Sequence, residues 1–244
     1  MQFKNVQQSV FCLEDIGTLL ETIKIETKQN IAICHDLELH AQRLYTSIKE
    51  LGFNIACSNI EDFKVFLQTQ IKNKLQYFFS SPVLFHENRI NKEIGLNKTA
   101  NIFKLRLLYQ KNSEIEISIS KYQRDLEKTW QIKVLDKKEF HIEATNPIWR
   151  YKFYPRPDFS FYFNQGYDEL IWTDENDNIC EGSFSAIIYD NNKSPLANTL
   201  KSTSLQKQNL VFQKTKKADL KNIYLVNSMI GKKSISICEL SEQN

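Results

Sequence analysis

Apolar side chains recur along this chain with two periods, and each period marks a kind of element. Leu19 to Ile25 reads as a short strand, the polar stretch 26–30 as a turn, and Ile31–Cys34 as a second strand. Asp36 is placed to cap a helix. Behind it Leu37, Ala41, Leu44, Ile48 and Leu51 recur at spacings of 4, 3, 4 and 3, a helical stripe that Gly52 closes. Asn59 stands where it can cap the next helix, which carries Phe63, Phe66, Leu67, Ile71 and Leu75 and stops at Phe78, Phe79 and Ser-Ser-Pro. Residues 83–101 are polar and ambiguous, read as a helix and loop.

The period then shortens to two. Phe103, Leu105, Leu107 and Tyr109 alternate with polar side chains, and after Asn112-Ser113 so do Ile115, Ile117 and Ile119, a hairpin with one buried face. The charge run KYQRDLEK interrupts two strand-rich regions, so residues 121–131 are expected to connect a smaller N-terminal domain (1–120) to a larger one (132–244). Strands are expected at Trp130–Leu135 and Glu139–Ala144, then at Glu169–Thr173 and, across an Asp/Asn-rich turn at 174–178, in one second strand that Glu181-Gly182-Ser183-x-Ser185 opens and Ala186–Tyr189 continues, the two forming a β-hairpin. Ser234–Leu240 reads as a last strand.

Composition narrows the function classes. The 244 residues suffice for one large core or two modest ones, and 41% hydrophobic with 25% charged residues is ordinary globular usage. A net charge of +3, without basic runs interleaved with aromatics, gives no reason to expect nucleic acid. Five cysteines without C-x-x-C pairing exclude the usual zinc spacings and a disulfide scaffold, so no metal is expected and a reducing cytoplasm is the expected setting. No stretch has signal-peptide or membrane-spanning character, so no membrane partner is expected. Six glycines and five prolines leave no linker tract, so two domains would be closely joined.

The candidate chemistry lies in Tyr151–Asp190: a lysine among aromatics (Lys152), and Glu181-Gly182-Ser183-x-Ser185 after the turn. Taken singly, Lys152 reads as a solvated lysine and Glu181 as the border of a turn. Their pairing resembles the fold-type IV (class IV) pyridoxal-phosphate enzymes, which include branched-chain and D-amino-acid aminotransferases and aminodeoxychorismate lyases. In that family a lysine binds the cofactor covalently. About thirty residues later, the glutamate of an E-G-S-x-S-N strand meets the pyridine nitrogen. Here those residues would be Lys152 and Glu181, with Ser183 and Ser185 in place and Ala186 where the family has asparagine. Lys152 and Arg156 keep the family's K-x-x-x-R spacing. Such a lysine must be partly neutral, and a carboxylate keeps the ring nitrogen protonated so that the ring accepts electrons.

Three further segments carry the resemblance. LLETI followed by LELHAQRLYTSIKELGF is similar to the family's F-E-T and H-x-x-R-L stretch, which implies Arg43 as the phosphate clamp. His40, beside the apolar stripe, is read as packing. SPLANTLKSTSL, residues 194–205, resembles a loop that opens a helix, where the amides of Thr199 and Leu200 would cradle phosphate; Asn198 and Lys201 replace a family glycine and arginine. DLKNIYLVNSMIG resembles a strand that delivers a hydroxyl, here Ser228, with Asn227 as its packing neighbour. Arg106 reads first as a solvent-facing residue of its strand, and otherwise as an inward arginine for an anionic substrate.

The resemblance implies an α/β (α+β) protein of two lobes, like D-amino-acid aminotransferase, with pyridoxal 5'-phosphate in the cleft between them and a homodimeric state. It implies a lyase that converts 4-amino-4-deoxychorismate to 4-aminobenzoate and pyruvate in folate synthesis. A class IV aminotransferase acting on branched-chain or D-amino acids uses the same residues. A degenerate, non-catalytic member is the third reading, resting on Ala186, Asn198 and Lys201.

Overall fold

The computed structural model describes residues 12–28, 31–80, 84–87, 101–123, 127–135, 137–143, 146–190, 192–195, 205, 209–216 and 222–235. It resolves into two compact units. One comprises Ile16–Arg124 together with Lys152–Tyr154, and the other comprises the rest of the described chain.

The first unit begins with β1 (Thr18–Lys28) and β2 (Ile31–Cys34), followed by α1 (Leu37–Glu50) and α2 (Ile60–Phe79). Then come β3 (Leu84–Glu87), β4 (Asn101–Gln110) and β5 (Ile115–Lys121), in the sheet order β3-β2-β1-β4-β5. The expected hairpin is present, with Leu107 opposite Ile117 and Leu105 opposite Ile119. Alternation along β1 buries Leu19, Glu21, Ile23 and Ile25, so a carboxylate shares one row with aliphatic side chains.

The helical stripe packs as the spacing predicts: Leu37, Ala41, Leu44 and Ile48 are buried, and Gly52 takes a positive φ of 65° just past the end of α1. Asn59 caps α2 by accepting from the Asp62 amide at 2.9 Å. Asp36 differs from expectation. It occupies the cap position of α1 but in a left-handed conformation (φ 57°), and its side chain makes no cap hydrogen bond.

The second unit holds β6 (Ile132–Val134) and β7 (His141–Ile142), both far shorter than expected. Between them and the next long strand the chain returns to the first unit for β8 (Phe153–Tyr154), then forms the four-residue α3 (Ser160–Phe163). β9 (Glu169–Asp174) is flanked by antiparallel β10 (Ile179–Gly182) and by β6 and β7, both parallel to it.

Here the single expected strand after the turn divides. β11 (Ala186–Ile188) leaves this sheet and pairs instead with β14 (Ile223–Asn227), itself paired with β15 (Gly231–Ile235). A parallel pair, β12 (Lys193–Pro195) with β13 (Val211–Gln213), completes the unit. The main core gathers Trp130, Ile171, Ile179, Ile187, Tyr189 and Leu225. Ala186 belongs to a second apolar cluster with Ile188, Leu205 and Val226.

Candidate active site

In the first unit the site starts from a fork in the sheet. β4 takes one whole edge of β1, while the other edge is shared: β2 pairs with Ile25–Lys28 and β8 with Thr18–Leu19. The Leu20 amide donates to the Lys152 carbonyl at 2.6 Å, which fixes the backbone of Lys152 beside β1 immediately ahead of Glu21. α1 follows β2 and presents His40 and Arg43, one turn apart, to that carboxylate.

Arg43 grips Glu21 with two donors, Nε to Oε1 at 2.7 Å and Nη2 to Oε2, a fork-to-carboxylate pair. His40 Nδ1 lies 2.7 Å from Glu21 Oε2. Burial alone would raise the Glu21 carboxyl, but Arg43 and His40 overturn this and hold it well below the usual carboxylate range. Burial pushes the His40 imidazole below its ordinary value, and the cations of Arg43 and Lys152 act in the same direction against the pull of Glu21. A neutral imidazole then donates from Nδ1 to the carboxylate. Its Nε2 is buried without a hydrogen-bond partner among the described residues. Lys152 itself is half-buried.

On the neighbouring strand, Arg106 stacks over the Tyr154 ring at 4.3 Å and its Nε is likewise buried without a partner among the described residues. It is half-buried rather than solvent-facing.

The second unit carries the other predicted residues. Glu181 sits on β10, buried at 7% exposure, with Arg156 Nη2 at 3.3 Å from Oε1. The Arg156 guanidinium also lies over Trp172, 5.8 Å from the ring centre. Ser183 and Ser185 engage another carboxylate. Both donate to Glu169, which opens β9 and is 0% exposed. Ser228 lies in the turn between β14 and β15. Its neighbour Asn227, read from sequence as packing, donates to Ser185 Oγ at 3.0 Å and accepts from the amides of Met229 and Ile230 at 2.9 Å each. Thr199 and Leu200, with Asn198 and Lys201, lie outside the described residues.

The structure thus brings Arg43 and Lys152 into one cluster, and Glu181 and Ser228 into another unit with Arg156. Sequence reading passed over Glu21, Glu169 and Asn227. Glu21 stood in the quoted LLETI motif, and its place in the alternating row of β1 was the available signal. Glu169 offered only its position at the head of an apolar strand.

No protein-family model matches the sequence, and no curated protein matches it. Solved structures do. A Mesorhizobium loti protein assigned as an amino-acid aminotransferase matches with a TM-score of 0.65 and 19% identity, over 90% of this chain and 98% of its own. A Legionella pneumophila protein assigned as a 4-amino-4-deoxychorismate lyase matches with a TM-score of 0.61 and 14% identity, over 95% and 88% of the two chains. A hypothetical aminotransferase from Mycobacterium tuberculosis, solved in its PLP-bound form, gives 0.62 and 15%, over 90% and 80%. The chain has the fold-type IV fold.

Proposed function

We propose that the chain is a pyridoxal-phosphate-dependent lyase that converts 4-amino-4-deoxychorismate to 4-aminobenzoate and pyruvate. The observation that carries this reading is Lys152, half-buried and pinned by its backbone to β1 beside the Glu21–His40–Arg43 cluster. The donor set fits the cofactor: a primary amine, a guanidinium held by a carboxylate, and a separate buried carboxylate at Glu181. The buried Arg106 Nε, a donor without a partner among the described residues, is a polar atom of the kind a bound anionic molecule satisfies.

Lys152 would hold the cofactor, Arg43 its phosphate with the amides of Thr199 and Leu200 and the hydroxyl of Ser228, and Glu181 its protonated ring nitrogen. When bound, the cofactor supplies an electron sink for the carbon that bears the substrate nitrogen. The Lys152 Nζ takes the proton from that ring carbon and returns it to the departing enolpyruvyl group, which leaves as pyruvate while the ring becomes aromatic. Arg106, on the strand beside β1 and stacked on Tyr154 two residues from Lys152, would receive a substrate carboxylate. A homodimer and a place in folate synthesis follow from the same resemblance.

The aminotransferase reading shares all these residues, with Lys152 moving a proton from substrate to cofactor, and the Mesorhizobium loti likeness favours it. Incubation with aminodeoxychorismate decides between them. Equal amounts of 4-aminobenzoate and pyruvate are expected. Keto-acid formation from branched-chain or D-amino acids, with no 4-aminobenzoate, would establish the alternative instead.

A further inference from the structure

A fully buried carboxylate is costly unless its oxygens are met by donors. Glu169 is 0% exposed, and it is met by donors from its own strand and from the turn that follows Glu181. Oε1 accepts from Ser183 Oγ, from the Phe184 amide at 3.0 Å and from the Leu170 amide at 3.2 Å. Oε2 accepts from Ser185 Oγ at 2.7 Å. The turn closes on itself through Gly182 N–H to the Ser185 carbonyl at 2.7 Å.

Gly182 belongs to the same device. A Cβ there would stand 2.9 Å from the Ser185 carbonyl oxygen and 3.1 Å from the Glu169 carboxyl carbon, so only glycine lets the turn wrap the carboxylate this tightly. The arrangement gives G-S-x-S a physical meaning: the glycine admits Glu169 and both serines ligate it.

The network extends one residue further. Asn227 Nδ2 donates to Ser185 Oγ at 3.0 Å and to the Phe184 carbonyl at 3.2 Å, while its Oδ1 holds the amides of Met229 and Ile230. Ser185 Oγ therefore receives from Asn227 and donates to Glu169, in a continuous path from the head of β9 to the turn that contains Ser228.

We propose that Glu169 and Asn227 are positioning residues that lock the Gly182–Ser185 turn against the 228–230 turn and thereby fix the backbone from which Glu181 projects. Arg156 restrains the Glu181 side chain, and Glu169 restrains the chain that carries it. This inference rests on the reading of Glu181 as the partner of the cofactor's ring nitrogen. A network serving stability alone would behave differently. It would leave Glu169 and Glu181 independent in their effects on the cofactor.

The test is a double-mutant cycle read by the affinity for pyridoxal phosphate and by the pH midpoint of the bound cofactor's absorbance band. Glu169→Gln keeps the volume but replaces an acceptor with a donor. It should weaken cofactor binding about tenfold and shift the midpoint in the direction that Glu181→Gln shifts it, the size expected when a supporting shell is loosened. In the Glu181→Gln background the same change should alter affinity by less than about twofold, because the residue it positions is already disabled. Asn227→Ala, at a half-buried position, supplies the same cycle if Glu169→Gln does not fold. Equal effects of either variant in both backgrounds would overturn the inference while leaving the cofactor assignment standing. A wild-type chain that binds no pyridoxal phosphate would overturn both.

Discussion

His40 is sealed between a carboxylate and two cations, and its protonation state follows from that company. Burial and the charges of Arg43 and Lys152 outweigh Glu21, so the native chain holds the ring neutral below its ordinary value of 6.5. As pH falls through about 6.5 the unfolded chain binds a proton here and the native chain resists it, so stability is lost on acidification until the native value is reached. One such group contributes a slope of at most about 1.4 kcal/mol per pH unit. Urea unfolding between pH 7 and pH 5 should show this loss in the wild type and a shallower dependence in His40→Gln. Identical slopes would mean that His40 is not the buried neutral ring described here. The same residue shows what a sequence leaves unread. An isolated histidine beside an apolar stripe reads as packing, and only the fork in β1 reveals that Glu21 waits opposite it. Asn227 was likewise passed over for Ser228, because a side chain's partner 42 residues away leaves no local trace.

At the scale of elements, periodicity served well wherever one face was buried. Both long helices, the β4–β5 hairpin and the two opening strands stand close to where the apolar spacing puts them. Asn59 is the clearest of the predicted caps, and its loss is a clean test: Asn59→Ala should destabilise the chain by about 1 kcal/mol in chemical denaturation while leaving cofactor affinity unchanged. No change in stability would show that the 2.9 Å bond to Asp62 is not sustained in solution. The pattern failed between Ile179 and Tyr189 for a physical reason. Both flanks of that stretch are apolar, and the Glu169 carboxylate that the turn between them wraps lies on another strand, out of reach of any local pattern. β6 is shorter than its apolar run: Trp130 and Leu135 fill the core from just outside the strand, Leu135 still donating its amide to the Ile171 carbonyl at 2.8 Å.

At the scale of the molecule, the chain makes two compact units, and the residues expected to do the chemistry are divided between them by contact: Lys152 packs with Ile16–Arg124, while Glu181 belongs to the other unit. A three-residue return to an earlier sheet, Lys152–Tyr154, is too short to carry a period. No helix among the described residues is long and apolar enough to cross a membrane. The four separated segments of family-like sequence agree with a fold shared at 19% identity or less with the solved structures described above. What that fold leaves open is which lysine binds the cofactor. Borohydride reduction of the protein with pyridoxal phosphate, followed by peptide mapping, answers it. The label should appear on Lys152 and be lost in Lys152→Ala. A label on any other lysine, or none, would contradict the assignment on which the proposed chemistry depends.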